Sequence, residues 1–443
     1  MYNMINPMKK IKIGIIGLGT VGTGVVKILQ QNQYLIQNRL GAIIEIAKIA
    51  DLDLTSDRGI SLDHLPLTHD ALEVINDPQI SIVVELMGGE EPAASFLLKA
   101  IKKGKHVVTA NKALLSIRGE EIFKAVYEHQ VDIGFEGSVC GGIPLIRAIK
   151  EGLAANKITT IFGILNGTAN YILSRMTEEG KGFQEVLEEA KSLGYAETDP
   201  SLDVQGTDTT HKLSILLSLV YGKKISPEDI YTEGITRIHP LDIEFAMQLG
   251  YRIKLLAIFK DENGEIEARV HPTLIPADSL LSHVKGINNA VFIYGDAVGP
   301  TLFYGQGAGM MPTGSAVVSD LIEISRNILK GTCGTMVPFF AENRNTITVK
   351  AKNQFLSKYY YLRFSAKDRP GVLSQISGIL GKFNISIASV IQRGQQGDGA
   401  VPIFMLIHEA REDSVAKALQ EIDALPVSLD KTMLIRIEDH LID

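Results

Sequence analysis

The residues best equipped for chemistry lie together between Ala190 and Leu213, in the stretch AKSLGYAETDPSLDVQGTDTTHKL. Glu197, Asp199, Asp203, Asp208 and Lys212 all fall there, and the apolar run LSILLSLVY follows at once. Asp208 and Lys212 are four residues apart, acid before base, which sets them on one face of a helix. On a solvated surface such a pair is a salt bridge of little consequence. This helix, however, turns apolar on all sides within a residue or two, so its start belongs in an interior or a cleft. A lysine held there beside a carboxylate stays charged, is aimed, and has a proton usable in chemistry. Asp199-Pro200 favours an extended turn that can project Glu197 and Asp203 into the same space. His211 reads as a packing or supporting residue rather than a catalyst.

A second group of residues points to a nucleotide. Gly17-Leu18-Gly19-Thr20-Val21-Gly22 follows an apolar strand and opens a helix. Gly17 permits the tight turn, Gly19 lets a pyrophosphate approach the backbone, and Gly22 lets helix and strand pack closely. The helix N-terminus then faces the phosphates. The next strand ends at Ala50-Asp51-Leu52-Asp53. An acid there accepts hydrogen bonds from a ribose 2'-hydroxyl and repels a 2'-phosphate, which favours NAD. Alternatively Asp51 and Asp53 are only turn residues, and Lys48 or Arg58 serves a phosphate. Thr109-Ala110-Asn111-Lys112 closes a further strand, where open α/β sheets bind ligands, so Lys112 is a site candidate as well as a plain surface lysine.

Two glycine-containing turns are more ambiguous. Glu136-Gly137-Ser138-Val139-Cys140-Gly141-Gly142-Ile143-Pro144 reads as a strand-helix hinge, or as a loop wrapping a hard cation with Glu136 and main-chain oxygens. Asp368-Arg369-Pro370-Gly371-Val372-Leu373 reads as a structural turn, or as a small-ligand site on the turn's backbone amides.

These residues need elements to hold them. Residues 11 to 136 alternate strand and helix patterns: strands at Ile11 to Ile16, Ile43 to Ala50, Ile82 to Leu86, His106 to Thr109 and Asp132 to Glu136. Helices are expected from the glycine turn to about Gln33, at Glu91 to Lys103 and at Gly119 to Gln130. Such alternation with near-continuous apolar strands implies a Rossmann-type, doubly wound parallel sheet. Past Gly137 the chain becomes α+β. Helices are expected at Ile143 to Leu153, Tyr171 to Met176, Phe183 to Leu193 and Thr207 to Tyr221, a strand at Thr159 to Leu165, and strand-rich chain from Arg252 to Tyr304. DENG at Asp261 to Gly264 marks a turn. Met311 to Ile328 returns to a helix, with Pro312 near its start. From Tyr359 the order βαββαβ is ferredoxin-like. The expected domains are 1–138, completed by 305–330, for the nucleotide; 139–304 for substrate and dimerisation; 331–357 as linker; and 358–443 as a regulatory unit.

Bulk properties set limits. The net charge of -7 and the lack of a basic cluster argue against nucleic-acid binding. Cys140 and Cys333 show no CxxC or Cys/His spacing, so a zinc site or disulfide framework is not expected. MYNMINPMKK carries no signal-peptide core, and no window nears the roughly 20 apolar residues of a membrane span. The chain reads as cytoplasmic.

Taken together, the motifs resemble the homoserine dehydrogenase family across nearly the whole chain. Ala190, Gly194, Asp199, Pro200, Asp203, Gly206, Asp208 and Lys212 keep the spacing of its signature, AxxxGxxxxDPxxDxxGxDxxxK. GLGTVG, ELMGG at Glu85 to Gly89, TANK, NGTANYIL at Asn166 to Leu173 and GAGMMPTGSAVVSD at Gly307 to Asp320 are similar to the family too. The tail resembles an ACT domain, an amino-acid-sensing module. Ala169 departs from the threonine of many relatives, and Asp51 and Asp53 depart from members with a basic phosphate clamp.

The resemblance implies reversible reduction of L-aspartate 4-semialdehyde to L-homoserine with NAD(P)H, on the route to threonine, isoleucine and methionine. It implies Lys212 as proton donor, Glu197 and Asp203 on the substrate amino group, and Lys112 between nicotinamide and substrate. It further implies sodium on a loop matching Glu136, Val139, Gly141 and Ile143, and cofactor contact from Gly309. An amino-acid effector such as threonine would bind at Asp368, Gly371 and Val372, and the enzyme would be a homodimer or homotetramer. The chemistry of the residues agrees: hydride addition to an aldehyde builds charge on oxygen, which an ammonium stabilises and protonates. Two rival readings are another semialdehyde or imine reductase on a similar scaffold, and a non-catalytic amino-acid sensor.

Overall fold

Apolar runs too short and too continuous for helices form a parallel sheet buried on both faces. The computed structural model describes residues 8–262, 264–334, 348–349, 356–357, 359–392 and 400–439. They fall into two units. One holds residues 8–157, 211–227 and 303–334; the other holds 158–210, 228–302 and the described residues from 348 on.

The first unit contains β1 (Lys10–Ile16), α1 (Thr20–Gln31), α2 (Gln33–Leu40), β2 (Ile43–Ala50), β3 (Leu67–Thr68), α3 (Ala71–Asn76) and β4 (Ile82–Glu85). It continues through α4 (Ala93–Lys102), β5 (His106–Thr109), α5 (Lys112–Glu128), β6 (Ile133–Gly134) and α6 (Leu145–Arg147). The strand order is β3-β2-β1-β4-β5-β6, with every neighbour parallel. This is the doubly wound order expected, and it reverses between β1 and β4, where such sheets open a crevice for ligands. Ile13, Ile15, Val84 and Val108 are wholly buried in its core.

Several boundaries differ from expectation for local reasons. The first helix stops at Gln31 because Asn32 leaves helical geometry, and α2 follows as a separate helix. The helix expected from Gly119 starts at Lys112, because the Asn111 side chain accepts the Leu114 N–H at 3.1 Å and caps it. The helix expected over Ile143 to Leu153 splits into α6 and a wide π turn at Ala148–Gly152.

The second unit begins with β7 (Ile158–Ile164), α7 (Gly167–Glu179), α8 (Phe183–Ser192) and α9 (Ser201–Val204). Next comes α10 (Thr207–Tyr221), within which the chain passes to the first unit after Thr210. There follow β8 (Tyr231–Thr232), α11 (Pro240–Gln248), β9 (Tyr251–Glu262), β10 (Glu265–Pro276), β11 (Asn288–Gly295) and β12 (Gly299–Gln306). The helix read as Tyr171 to Met176 is longer because Asn166 caps it, taking the Ala169 N–H at 2.7 Å. α11 was not expected, although His239, Pro240 and Asp242 build a capping box with proline at its first turn. The DENG turn joins β9 to β10, with the Gly264 N–H on Asp261 Oδ1 at 2.7 Å; Asn263 lies outside the described residues.

After β12 the chain adds α12 (Met310–Lys330) to the first unit. Of the expected connector 331–357, residues 335–347 and 350–355 lie outside the described residues, as do 1–7 of the N-terminus. Its described part includes β13 (Thr348–Val349) and β14 (Leu356–Ser357). The tail is β15 (Tyr359–Lys367), α13 (Val372–Lys382), β16 (Ile387–Gln392), β17 (Ala400–Ile407), β18 (Ala410–Arg411), α14 (Glu412–Asp423) and β19 (Met433–Ile437). Apart from the short β18, this is the ferredoxin-like βαββαβ order, in antiparallel strand order β19-β15-β17-β16. Its edge strand continues the neighbouring sheet: β19 pairs in parallel with β10, Arg436 opposite Thr273.

Both cysteines are free thiols. Burial beside Asp132 pushes the Cys333 thiol up to about 11, so it stays protonated at neutral pH. Among the described residues no helix is long and apolar enough to cross a membrane.

Candidate active site

The nucleotide end of the first unit is built by steric necessity. Gly17 has φ +99°, and a Cβ on it would lie 2.7 Å from the Leu86 carbonyl oxygen. A Cβ on Gly22 would lie 2.2 Å from the Gly17 carbonyl oxygen, so only glycine lets α1 start this close to β1. A Cβ on Gly19 would meet nothing within 4 Å, which leaves open room over the α1 N-terminus. Thr20 and Val21 form the first turn there without a side-chain cap, so its N–H groups are available to an anion. A cleft of about 460 Å³ opens beside this turn, lined among others by Gly17, Gly19, Asp51, Leu86, Met87 and Phe96. That volume suits a nucleotide-sized ligand.

Asp51 borders the cleft and already works on the glycine turn. Its carboxylate accepts the Leu18 N–H, and also the Asp53 N–H at 2.8 Å. Arg58 is committed to the same loop, donating from Nε to the Leu18 carbonyl at 2.7 Å and from Nη1 to the Ser56 carbonyl at 2.9 Å. Lys48 pairs with Glu73 at 3.2 Å. Both basic residues that might have clamped a phosphate therefore have other partners.

Lys112 is placed by a buried network that motif reading did not reveal. Glu85, at the end of β4, is fully buried. It accepts the Thr109 hydroxyl at 2.6 Å and the Met87 N–H at 2.8 Å. Burial raises its pKa. Thr109 Oγ1 takes the Asn111 N–H at 3.0 Å, and Asn111 Nδ2 reaches the Gly89 carbonyl at 2.6 Å. The ELMGG and TANK motifs thus brace each other at adjacent strand ends, and Lys112 becomes the first residue of α5.

The return helix α12 docks on α1 through glycines. A Cβ on Gly24 would lie 2.1 Å from the Met310 carbonyl oxygen, and one on Gly314 would lie 2.9 Å from the Gly24 carbonyl carbon. Gly309, at φ +124° and ψ 163°, uses a conformation essentially reserved for glycine. It is thereby set one residue from the contact with α1.

The loop from Glu136 to Ile143 is almost wholly buried. Both Glu136 carboxylate oxygens are engaged at the start of α6, accepting the Ile146 N–H at 2.8 Å and the Arg147 N–H at 2.9 Å. Desolvation raises the Glu136 pKa. Cys140 holds φ +56° and Gly141 φ +45°. A Cβ on Gly141 would meet the Gly307 carbonyl oxygen at 2.6 Å, so the loop is pressed against the segment leading to α12. Buried main chain rich in carbonyls is the kind of donor set that suits a hard cation.

In the second unit the acidic stretch forms one cluster. Asn166 Nδ2 donates to Asp203 Oδ1 at 2.7 Å and to Asp208 Oδ2 at 2.8 Å. One amide therefore ties together two carboxylates, both within the stretch singled out by composition. Asp208 is 5% exposed and Lys212, one turn on in α10, is 7% exposed. Both side chains are therefore buried, as the apolar run after them led one to expect. Glu197 stands exposed, and Asp199 accepts the Ser201 N–H at 3.0 Å. His211 is half-buried. Removing the shared donor by Asn166→Ala is expected to cost about 1–3 kcal/mol, because two carboxylates lose their common partner. A lowered urea midpoint at unchanged m-value checks it; an unchanged midpoint would show the bonds to be dispensable.

In the tail, Gly371 has φ +86° and precedes α13, whose first residue Val372 is buried. Asp368 accepts from Gln392 at 3.3 Å. The strand end, turn and helix start expected there are all present.

Three family models match the chain. The family model described as homoserine dehydrogenase, NAD binding domain, matches residues 17–136; the homoserine dehydrogenase model matches 144–322; and the ACT domain model matches 360–427. A homoserine dehydrogenase of Pseudomonas aeruginosa is 44% identical over 436 residues, spanning 97% of this chain and 99% of the relative. That of Bacillus subtilis is 39% identical over 436 residues, spanning 98% and 99%. The crystal structure of a homoserine dehydrogenase from Thiobacillus denitrificans superposes with a TM-score of 0.91 at 44% identity, covering 98% of this chain and 99% of that one. A hyperthermophilic archaeal homoserine dehydrogenase mutant in complex with NADPH gives 0.61 at 28% identity, covering 72% and 98%.

Proposed function

The chain belongs to the homoserine dehydrogenase family, and from that membership we propose how its own residues carry the reaction. The reaction is the reversible reduction of L-aspartate 4-semialdehyde to L-homoserine. When bound, the nicotinamide supplies the hydride that adds to the aldehyde carbon. Lys212 stabilises the charge that builds on the carbonyl oxygen and delivers a proton to it. Asp208, one turn earlier on the same helix, orients that ammonium. Glu197 and Asp203 take the substrate's own ammonium group, and Lys112 contacts nicotinamide and substrate. The observation that carries this reading is a buried lysine one helical turn after a buried aspartate, which shares an amide donor with a second carboxylate.

On the nucleotide side, Gly17 to Gly22 cradle the pyrophosphate and Gly309 closes on the cofactor. Asp51 selects against a 2'-phosphate; Arg58 lies beside it, Nη2 at 3.9 Å from Asp51 Oδ1, with its other nitrogens on carbonyls of the same loop, and Lys48 pairs with Glu73. Asp51→Ser should move the ratio of kcat/KM for NADPH over NADH upward by about tenfold, the effect of removing one repelling charge. Initial rates with both nucleotides read it out, and an unchanged ratio would deny Asp51 the role.

Glu136, Val139, Gly141 and Ile143 would hold sodium, on the loop packed against the segment before Gly309, where the ion would supply fixed positive charge. The ACT domain binds an amino acid, threonine the first candidate, at Asp368, Gly371 and Val372. The enzyme works as a homodimer or homotetramer. Rates with aspartate semialdehyde, with and without added threonine, test the effector; identical rates at every threonine concentration would refute it.

A further inference from the structure

A guanidinium buried in the interior persists only when paired on its several donors. Arg436, in β19 of the ACT module, is 2% exposed. Its Nε donates to Glu412 Oε2 at 3.2 Å, and Nη2 also pairs with Glu412. Its Nη1 donates to Glu233 Oε2 at 3.1 Å, and the guanidinium lies 5.0 Å over the Tyr231 ring. The Tyr231 hydroxyl completes the group, donating to the same Glu233 oxygen at 2.7 Å. One cation thus joins two carboxylates of different origin. Glu412 is the first residue of α14, the second main helix of the module, whereas Glu233 follows β8.

The chain around Glu233 forms a wall against the acidic stretch. Thr232 Oγ1 and Thr210 Oγ1 are 2.6 Å apart, and the Ile235 N–H donates to the Val204 carbonyl at 2.8 Å. Gly234 is so close that a Cβ would lie 2.2 Å from that same carbonyl oxygen. A Cβ on Gly206 would lie 3.2 Å from Thr232 Cγ2. These contacts begin at Val204, next to Asp203 in sequence, and flank Asp208 at Gly206 and Thr210. Interiors packed this tightly pass a displacement on rather than absorb it.

We propose that Arg436 and Glu233 are positioning residues that link the first turn of α14 to the Asp203–Asp208 cluster, so that the state of the ACT module sets how well the cluster receives the substrate ammonium. The inference rests on the reading above that Asp203 binds that ammonium. Nothing in it requires a particular effector, since the link is made by the chain's own side chains.

The test uses the full-length enzyme in the direction of homoserine oxidation, with Glu233→Gln, Glu412→Gln, their double variant and Asp203→Asn. Glu233→Gln and Glu412→Gln should each raise the KM for homoserine by about 3- to 10-fold, leaving the KM for NAD within about twofold. The double variant should be no worse than the worse single one, because both cut the same link. A merely structural role would lower the melting temperature without splitting the two KM values in this way. Should Glu412→Gln fail to fold, Glu233→Gln decides alone, since it leaves the Arg436–Glu412 pair intact. If Asp203→Asn raises the homoserine KM while both glutamine variants leave it unchanged, the link is overturned and the ammonium reading survives. If Asp203→Asn leaves it unchanged, the ammonium reading fails and the link falls with it.

Discussion

Lys212→Ala should lower turnover by about three orders of magnitude while nucleotide affinity stays within about twofold. The expectation follows from where the lysine is held. It lies in the second turn of α10 at 7% exposure, and the residues after it, from Leu213 to Ser218, are buried as well. Water is therefore poorly placed to replace the missing ammonium, either as a charge facing the forming alkoxide or as a proton source. Alanine removes both functions at once, which is why the loss should reach the upper range for one acid group. Lys212→Arg separates them: charge is retained, but the guanidinium releases its proton far less readily. Arginine should therefore recover only part of the loss. Steady-state rates with calorimetric titration of NADH make the comparison, and near-normal turnover of the alanine variant would remove Lys212 from the chemistry.

Gly22→Ala should weaken nucleotide binding roughly hundredfold, equivalent to about 3 kcal/mol of misfit at the phosphate turn. The added Cβ would sit 2.2 Å from the Gly17 carbonyl oxygen, and that oxygen is backbone with no rotamer to escape into. Gly17 cannot retreat easily. Its own φ of +99° and its approach to the Leu86 carbonyl fix it from the other side. α1 must tilt or the turn must open, and either change misdirects the N–H groups that face the pyrophosphate. Gly19→Ala is the contrasting control. Its Cβ meets nothing in the protein, so any loss there reports the ligand alone. Equal nucleotide affinity in Gly22→Ala and the unaltered protein would contradict this account of the turn.

What could be read from sequence was whatever depends on near neighbours. The Asp208–Lys212 spacing and the apolar run after it describe one helix, and α10 spans the residues expected. The glycine turn after β1 is likewise local: backbone contact demands glycine at Gly17 and Gly22, while Gly19 leaves open room. The missing pieces are long-range or weakly patterned. Asn166 joins Asp203 and Asp208 across 37 and 42 residues, and no spacing rule ties an asparagine in a turn to acids that distant. Glu85 reads as the end of an apolar strand, but its burial under Thr109 depends on β4 and β5 being neighbours. Arg436 meets Glu233 across 203 residues, so neither charge draws notice alone. Glu136 stood out in sequence as a cation-loop residue, whereas its carboxylate proves to cap α6. α2 escaped because it starts after a single non-helical residue, Asn32, and buries only Ile36 and Leu40.

In the proposed complex one substrate is held by Asp203 and Glu197 at its ammonium and by Lys212 at its reacting oxygen. A crystal structure of the ternary complex with NAD and L-homoserine measures this most directly. The homoserine hydroxyl should lie within about 3.2 Å of Lys212 Nζ, in hydrogen-bond reach for proton transfer, with the ammonium on the Asp203 and Glu197 carboxylates. A complex with the hydroxyl directed away from Lys212, or with the ammonium bound by other groups, would contradict it.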